Sequence, residues 1–338
     1  MALVDKNLSS SLILDKLYGS NSTEPPAHVL EFDDVVTLAE FSPYLWSHDL
    51  ICIAFPSKII VASIKFKEEN NDQIEPLKYD IVKKYSCYGR VQAISWSPET
   101  NIKVAPKTIL FAVSTNTFEI NIYSSDDTYI HKISAHRNYV NDISFDPSGE
   151  YLASVSDDLT CRIWSVKNGY TEAYKFYLDS SPITAKWHKD DPGKLLVAET
   201  FGIVKVYNVL GGTAIISFRS KLSPLISLDW CLNDCQHIIA MCGGNLVKWN
   251  MNNPSIPAYD KLVHPDGGFF AKYIPLSEQT IVTLGTPDFS LKVLHRDKPY
   301  PKTIATMKTA SSLTVHQHLP YVCVGVKKNI YMWLINEP

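Results

Sequence analysis

Residues 135–164 read AHRNYVNDISFDPSGEYLASVSDDLTCRIW, and this stretch decides the fold. Apolar and polar residues alternate in three short runs, Val140–Phe145, Tyr151–Ser156 and Thr160–Trp164, with the period of two that is typical of half-buried strands. The first two runs are separated by Asp-Pro-Ser-Gly and the last two by Asp-Asp, and tight turns favour both. The stretch therefore predicts three antiparallel strands that follow one another as a meander.

Four side chains stand at set places in this meander: His136, Ser154, Asp158 and Trp164. Their spacing resembles that of one WD40 repeat, although Ala135 and Ser165 replace the usual Gly and Asp. The resemblance implies one hydrogen-bonded chain, in which the indole donates, the carboxylate accepts, and the hydroxyl and imidazole do both. A Ser-His-Asp catalytic triad is the alternative, but the sequence has no G-x-S-x-G nucleophile elbow. We interpret the four residues as a structural tetrad.

Weaker copies of this unit flank it on both sides. The residue that ends each first strand recurs at steps of 55, 49, 42, 43, 43 and 42 residues, at Phe41, Trp96, Phe145, Trp187, Trp230, Tyr273 and Val315. A residue near the end of each third strand recurs at Ile64, Tyr123, Trp164, Tyr207, Trp249, Leu294 and Trp333. Such a period is that of propeller blades. The sequence predicts an all-β, seven-bladed WD40 β-propeller over residues 27–336.

Residues 1–26 lack both periods, and we interpret them as an N-terminal extension that is mobile or ordered by a partner. The seventh unit shows only three strands, the last being Asn329–Ile335. Because an open ring would expose strand edges, we expect His28–Phe32 to pair with that last blade. The extra length of the early units lies in residues 67–76 and 100–106. The acidic 67–76 segment is interpreted as a solvated loop, with an acidic docking site as the alternative.

Composition narrows the class of protein. The chain has 338 residues and a formal net charge of −3, so there is no basic surplus that would indicate nucleic-acid binding. No apolar run approaches the roughly 18 residues that span a bilayer, and the N-terminus has no secretory signal. Seven scattered cysteines, an odd number, favour reduced thiols. We expect a soluble cytosolic or nuclear protein without membrane insertion.

The sequence contains few residues that could form a metal-binding, phosphate-binding or catalytic site. Cys231, Cys235 and His237 raise the question of zinc, but a structural zinc site needs four ligands and no second pair follows. The glycine pairs have no Lys-Ser/Thr after them, so no phosphate-binding loop is present. We expect no enzyme, metal, cofactor or small-molecule substrate.

Several runs resemble a family more closely than the repeat alone does: Ala93–Thr100, Ala153–Asp158, Thr160–Trp164, Trp187-His188, Leu196–Glu199 and Trp230–Asn233. They are similar to those of the 37-kDa WD-repeat nucleoporins of the Y-shaped outer-ring scaffold of the nuclear pore, and the resemblance covers roughly residues 28–335. It implies a non-catalytic scaffold subunit that docks onto a large 160-kDa scaffold nucleoporin among other Y-complex subunits. It also implies roles in pore assembly, nuclear transport, protein transport and mRNA export, and a location at the nuclear pore of the nuclear envelope, with kinetochores in mitosis.

Two other classes remain open. A general WD40 adaptor, such as a ubiquitin-ligase substrate receptor, would share the fold, but those receptors usually carry Asp and then Arg close behind the repeat Trp. Here Ser165-Val166-Lys167 follows instead. A propeller enzyme would need polar catalytic groups around the central channel. Fold alone excludes neither class.

The loops that lead into each first strand and those that join second to third strands form one face of a propeller, which we call the upper face. Turn-adjacent residues with aromatic or Arg side chains occur there at Tyr88, Arg90, Tyr139, Phe201, Phe269 and Phe289. Such side chains anchor interfaces, so we predict that this face binds the partner, with Tyr88, Tyr139 and Phe201 favoured because their blades are consecutive. The alternatives are that some of these side chains fold inward, or that Tyr44-Leu45-Trp46 on the opposite, lower face binds the partner.

Overall fold

The computed structural model describes residues 24–69, 77–126, 131–231, 233–275, 280–286, 289–295 and 300–335. Within these ranges the chain forms seven four-stranded antiparallel sheets and one 3-10 helix, Lys67–Glu69. The first strands of neighbouring sheets contact one another around the ring, so the sheets are the blades of a β-propeller and the predicted fold is confirmed. Residues 1–23 of the predicted extension and residues 70–76 of the acidic loop lie outside the described residues.

Within blades one to six, the strands follow one another in chain order. Blade one consists of β2 (Leu38–Phe41), β3 (Leu50–Ala54), β4 (Lys58–Phe66) and β5 (Leu77–Ser86). Blade two consists of β6 (Val91–Trp96), β7 (Leu110–Thr115), β8 (Ile120–Ser124) and β9 (His131–Ile133). Blade three consists of β10 (Val140–Phe145), β11 (Tyr151–Ser156), β12 (Thr160–Ser165) and β13 (Thr171–Tyr177). Blade four consists of β14 (Pro182–Trp187), β15 (Lys194–Glu199), β16 (Ile203–Asn208) and β17 (Thr213–Arg219). Blade five consists of β18 (Leu225–Trp230), β19 (His237–Cys242), β20 (Asn245–Asn250) and β21 (Tyr259–Leu262). Blade six consists of β22 (Gly268–Tyr273), β23 (Thr280–Gly285), β24 (Ser290–His295) and β25 (Lys302–Ala305). Blade seven consists of β26 (Ser312–Val315), β27 (Tyr321–Val326), β28 (Asn329–Leu334) and, from the start of the chain, β1 (His28–Glu31). All seven residues predicted to end a first strand do so.

The ring is closed by β1. It pairs antiparallel with β28, with His28 opposite Met332 and Glu31 opposite Asn329, as the sequence predicts. The residues before β1 also bond to the ring, because the Glu24 N–H donates to the Ile304 carbonyl of blade six (2.7 Å). Backbone contacts therefore begin within the segment assigned to the extension, whose boundary at residue 26 stays a prediction.

The apolar core lies between neighbouring blades. One buried cluster joins blades one and seven, the next joins blades one and two, and the pattern continues around the ring. Polar bonds fix the blades against each other: Trp96 Nε1 donates to the Glu40 carbonyl of the preceding blade (3.1 Å). Asp142 Oδ2 accepts the Ala185 N–H of the following blade (3.1 Å). Such bonds hold the first strands of adjacent blades in fixed positions relative to one another. No helix in the described part of the chain is long and apolar enough to cross a membrane.

Candidate protein-interaction surface

The four tetrad residues of blade three form one continuous hydrogen-bonded chain. Trp164 Nε1 donates to Ser154 Oγ (2.9 Å), and Ser154 Oγ bonds to His136 Nε2 (2.7 Å). His136 Nδ1 lies 2.9 Å from Asp158 Oδ2. Because a carboxylate only accepts, the imidazole carries its proton on Nδ1 and the Ser154 hydroxyl donates to Nε2. Ser154 is fully buried, so its hydroxyl is not open to a substrate.

Asp158 is the acceptor that ends this chain. Its carboxylate also accepts the Arg137 N–H (3.1 Å), the Thr160 N–H (3.1 Å) and the Thr160 hydroxyl (2.5 Å). Burial acts to raise the pKa of Asp158, but the hydrogen bonds from Thr160, His136 and Arg137 outweigh it and hold the pKa at about 2. Burial likewise lowers the pKa of His136 in spite of the adjacent carboxylate. At neutral pH the pair is an ionised carboxylate and a neutral imidazole, which ties the loop before β10 to the turn before β12.

Blade six contains a shorter version of this chain, which the sequence analysis missed. His264 Nε2 lies 2.9 Å from Thr283 Oγ1, and both residues are fully buried. Burial and the nearby Lys292 ammonium lower the pKa of His264 to about 3, so the ring is neutral. His264 stands four residues before β22, as His136 stands four residues before β10, and that spacing is the signal that would have found it.

Three of the predicted partner-binding aromatic residues are exposed on the upper face of blades two to four. Tyr88 is 87% exposed, Phe201 is 59% exposed and Tyr139 is 45% exposed, and Arg90 is exposed beside Tyr88. Monomeric proteins seldom expose several large aromatic side chains on neighbouring loops without a use for them. We call this surface, which runs from Tyr88 to Phe201 across blades two to four, the upper-face sector.

The other two predicted aromatic residues, Phe269 and Phe289, contact each other. Their rings stack on each other in blade six, with centroids 5.3 Å apart and planes at 16°. Phe289 is half-buried and packs against the core between blades six and seven. Phe289 thus follows the inward-folding alternative, whereas Phe269 keeps 37% of its surface exposed.

The loop that carries Tyr88 is held firmly. The Arg90 N–H donates to Asn116 Oδ1 (2.8 Å), and the Asn116 N–H donates back to the Arg90 carbonyl (2.9 Å). Gly89 has a φ of +95°, and a Cβ on it would lie 2.6 Å from Asn116 Oδ1, so only glycine allows this approach. Tyr88 is therefore presented on an ordered turn, which reduces the entropy lost when it is bound.

The sector contains three apolar residues that sequence alternation did not find. Phe118 and Leu159 occupy the turns between second and third strands with φ of 65° and 62°. Non-glycine residues seldom adopt this left-handed conformation, and Gly, Asn or Asp usually fill it. The Phe118 ring meets the Tyr139 ring edge-to-face at 5.0 Å, which joins blades two and three. Leu159 is 42% exposed and Tyr177, at the upper end of β13, is 75% exposed.

The rival loop on the lower face is also ordered. Tyr44 and Trp46 stack at 5.2 Å, and Trp46 Nε1 donates to the Pro98 carbonyl of blade two (3.1 Å). Leu45 is 67% exposed and Trp46 is 44% exposed. This tip offers two apolar side chains, against five large apolar side chains in the upper-face sector that are exposed by 42% or more.

Known proteins resemble this chain along nearly its whole length. A family model described as WD domain, G-beta repeat matches residues 127–165, which include all of β10 to β12. Nucleoporin Nup37 of Mus musculus is 31% identical over 323 residues, which cover 93% of this chain and 98% of that protein. The chain belongs to the Nup37 family. Nucleoporin Nup37 of Homo sapiens is 30% identical over 317 residues (91% and 96%), and that of Drosophila melanogaster is 29% identical over 313 residues (92% and 97%).

The cysteines of this Nup37-family chain are unpaired, and six of the seven are buried. Cys231 is buried, Cys235 Sγ contacts Asp190 Oδ2 (3.6 Å), and His237 Nδ1 bonds to Asp234 Oδ2 (2.5 Å). Cys235 and His237 thus have separate partners, and among the described residues the three considered for zinc are not gathered as ligands.

The described residues gather a different set of three possible metal ligands: His48, Glu69 and His316, whose ligand atoms lie within 4.8 Å of one another. His316 Nδ1 accepts the Leu319 N–H (3.0 Å), so the proton of the neutral ring is on Nε2, the nitrogen that faces Glu69 Oε1 at 3.8 Å. The Lys103 ammonium, which only donates, lies 3.5 Å from His48 Nε2 and assigns the His48 proton to Nδ1, 3.1 Å from Glu69 Oε1. Both rings therefore turn a buried nitrogen towards one carboxylate oxygen, at 3.1 and 3.8 Å, and none of these three atoms makes a hydrogen bond of good geometry. The cluster brings polar side chains of blades one and seven together.

Proposed function

We propose that this chain is a non-catalytic scaffold subunit of the outer ring of the nuclear pore complex, and that it docks onto a large scaffold nucleoporin through the upper-face sector. Similarity to nucleoporins over nearly their full length supports the scaffold role. The observation that carries the docking surface is the set of exposed, ordered aromatic side chains in three consecutive blades, Tyr88, Tyr139 and Phe201. Pore assembly, nuclear transport, mRNA export and a mitotic location at kinetochores belong to the same proposal.

The exposed side chains of the upper-face sector are of the types that favour binding to a protein partner. Aromatic side chains bury a large area at a low cost in side-chain entropy, and Arg90 and Arg137 supply exposed positive charge beside them. Of the carboxylates nearby, Asp179 pairs with Lys205 (2.6 Å), whereas Asp157 accepts Asn141 Nδ2 (2.6 Å), a neutral donor, and keeps its charge. The sector is therefore apolar with two exposed arginines, and we expect the partner surface to be apolar with acidic residues opposite Arg90 and Arg137.

Affinity purification of the tagged full chain from nuclear extract, followed by mass spectrometry, tests the scaffold role. We expect a stoichiometric set of nuclear-pore scaffold proteins that includes one large subunit of about 160 kDa, the size implied by the family resemblance. Cullin-associated adaptors in place of that set would support a ubiquitin-ligase receptor and contradict the proposal.

A triple variant, Tyr88→Ala with Tyr139→Ala and Phe201→Ala, tests the sector in a pull-down of the large subunit. A single aromatic anchor contributes roughly 2 kcal/mol, or about 30-fold in Kd, and the three contributions do not add fully, so we expect binding to weaken by about 100-fold or more. The matched control is Leu45→Ala with Trp46→Ala on the lower face, which we expect to bind like the wild type. Undiminished binding by a folded triple variant, or loss of binding by the control, would contradict a docking site on the upper face.

A further inference from the structure

The two longest departures from the repeat pattern meet at one place, the boundary between blades one and two. In blade one, β4 has nine residues and β5 has ten, whereas the third strands of the other blades have five or six. In blade two, the loop between the first and second strands spans residues 97–109, whereas the same loop in blades three to seven has only five or six residues. A closed propeller needs neither insertion, so closure of the ring does not explain why both lie at the same boundary between blades.

Between these insertions lies a groove on the outer side of the ring. It is open to solvent on one side, has a volume of about 260 Å³ and is lined by Val82, Lys83, Ile102, Lys107, Ile109 and Ser125. Pairing of β4 with β5 skips Val82 in a bulge, so the strand does not alternate there, and Ile81 and Val82 are 46% and 41% exposed in succession. A cavity of this size is smaller than a typical small-molecule pocket and suits a single large side chain.

Hydrogen bonds within the chain hold the walls of the groove in place. Lys83 Nζ donates to the carbonyl oxygens of Ser124 and Ser125, which links β5 to the end of β8. In the long loop, Asn101 Oδ1 accepts the N–H of Lys103 (2.9 Å) and of Val104 (3.2 Å). The loop therefore holds Val104, 63% exposed, at its tip in a defined conformation. A preformed groove binds with a lower entropic cost than one that must be assembled.

The charge at the rim is positive. Lys107 is exposed, and no carboxylate among the residues that the structure describes pairs with its ammonium. The Lys83 ammonium adds a second positive charge, although carbonyl oxygens already satisfy its donors. One acidic residue, Asp126, follows Ser125 and accepts its hydroxyl (3.3 Å). The groove thus combines apolar walls with a cation that is free to pair.

We propose that this groove binds a peptide segment of a partner protein in which a large apolar side chain stands next to a carboxylate. The apolar side chain displaces water from Val82 and Ile102, and the carboxylate pairs with Lys107. The groove is formed by the outer strand of blade one and the lower-face loop of blade two, apart from the upper-face sector. This site therefore serves a second partner and does not depend on how the chain docks to its scaffold.

Selection of phage-displayed random 12-residue peptides on the full chain tests this proposal. We expect the enriched peptides to share a Leu, Phe or Trp beside an Asp or Glu. Their Kd, measured by fluorescence polarisation on synthetic copies, should rise on the order of tenfold in the Val82→Asp variant. The matched control is Ile215→Asp, because Ile215 is the residue skipped by the bulge in β17 of blade four and is 47% exposed.

Charge reversal gives a second readout that carries little folding risk, because Lys107 is exposed. Lys107→Glu should weaken the enriched peptides, and a peptide in which Lys replaces the carboxylate should recover binding to that variant. The proposal is overturned if the enriched peptides bind Val82→Asp as tightly as the wild type, if they are basic, if none is enriched, or if the reversed charges do not restore binding.

Discussion

Replacing Asp158 by Asn is the sharpest test of the hydrogen-bonded chain in blade three. The carboxylate accepts four hydrogen bonds, two from Thr160, one from Arg137 N–H and one from His136. An Asn amide keeps one oxygen, so its NH₂ group must face two of these donors. A buried donor without an acceptor costs about 1–3 kcal/mol, and the Thr160 hydroxyl can turn away. We expect the variant to be less stable by roughly 2–3 kcal/mol at neutral pH.

The pH dependence of this loss has a defined sign. The pKa of Asp158 falls from 3.8 to about 2 on folding, so the unfolded chain takes up a proton before the folded chain as the pH drops. The stability that the carboxylate provides is therefore complete above about pH 4 and is lost as the pH falls through about 2. At about 1.4 kcal/mol per pKa unit this contribution is roughly 2 kcal/mol, in agreement with the count of lost hydrogen bonds.

Urea unfolding followed by tryptophan fluorescence measures both quantities. We expect the free energy of unfolding of the wild type to exceed that of Asp158→Asn at pH 7 and 5, and the gap to narrow as the pH falls from 4 towards 2. The matched control is Asp80→Asn, whose side chain is 61% exposed on β5 and which should show no comparable gap. A gap that stays constant below pH 4, or a fully stable variant that has lost partner binding, would refute the structural role of the tetrad.

Two further predictions concern the ring. Deleting residues 1–23 should leave the melting temperature unchanged, whereas deleting residues 1–33 removes β1, exposes the edge of β28 and should cause aggregation, which light scattering would detect. Equal melting and scattering of the two truncations would contradict the closure. His264→Ala should lower the free energy of unfolding by about 1–3 kcal/mol because it removes the bond between the fully buried ring and the Thr283 hydroxyl, and the upper-face sector should still bind in the pull-down. Wild-type stability of this variant in urea would show that the chain in blade six contributes nothing.

The sequence predicts well those features that repeat at regular intervals along the chain. Strand alternation and the steps of 42 to 55 residues place all seven first strands, and the unmatched edge at β28 indicates the pairing with β1. Backbone conformation is not visible in such patterns, so the left-handed turns at Phe118 and Leu159 were missed. His264 was missed because Leu294 stands where the repeat Trp would mark the unit. The stacking of Phe269 on Phe289 and the groove beside Val82 depend on how separate loops and blades meet, which no local pattern contains.

The pairing of β1 with β28 also fixes an order of events during synthesis. His28 and Tyr321 are hydrogen-bonded across the closed ring (3.3 Å), yet 293 residues separate them. A ribosome that adds about 5–20 residues per second needs roughly 15 to 60 s to cover that distance. Throughout this interval β1 lies outside the ribosome while its partner strand β28 has not yet been synthesised, so the ring of blades stays open. The nascent chain thus carries an unmatched strand while these 293 residues are added, and chaperones have that long to bind it before the ring closes.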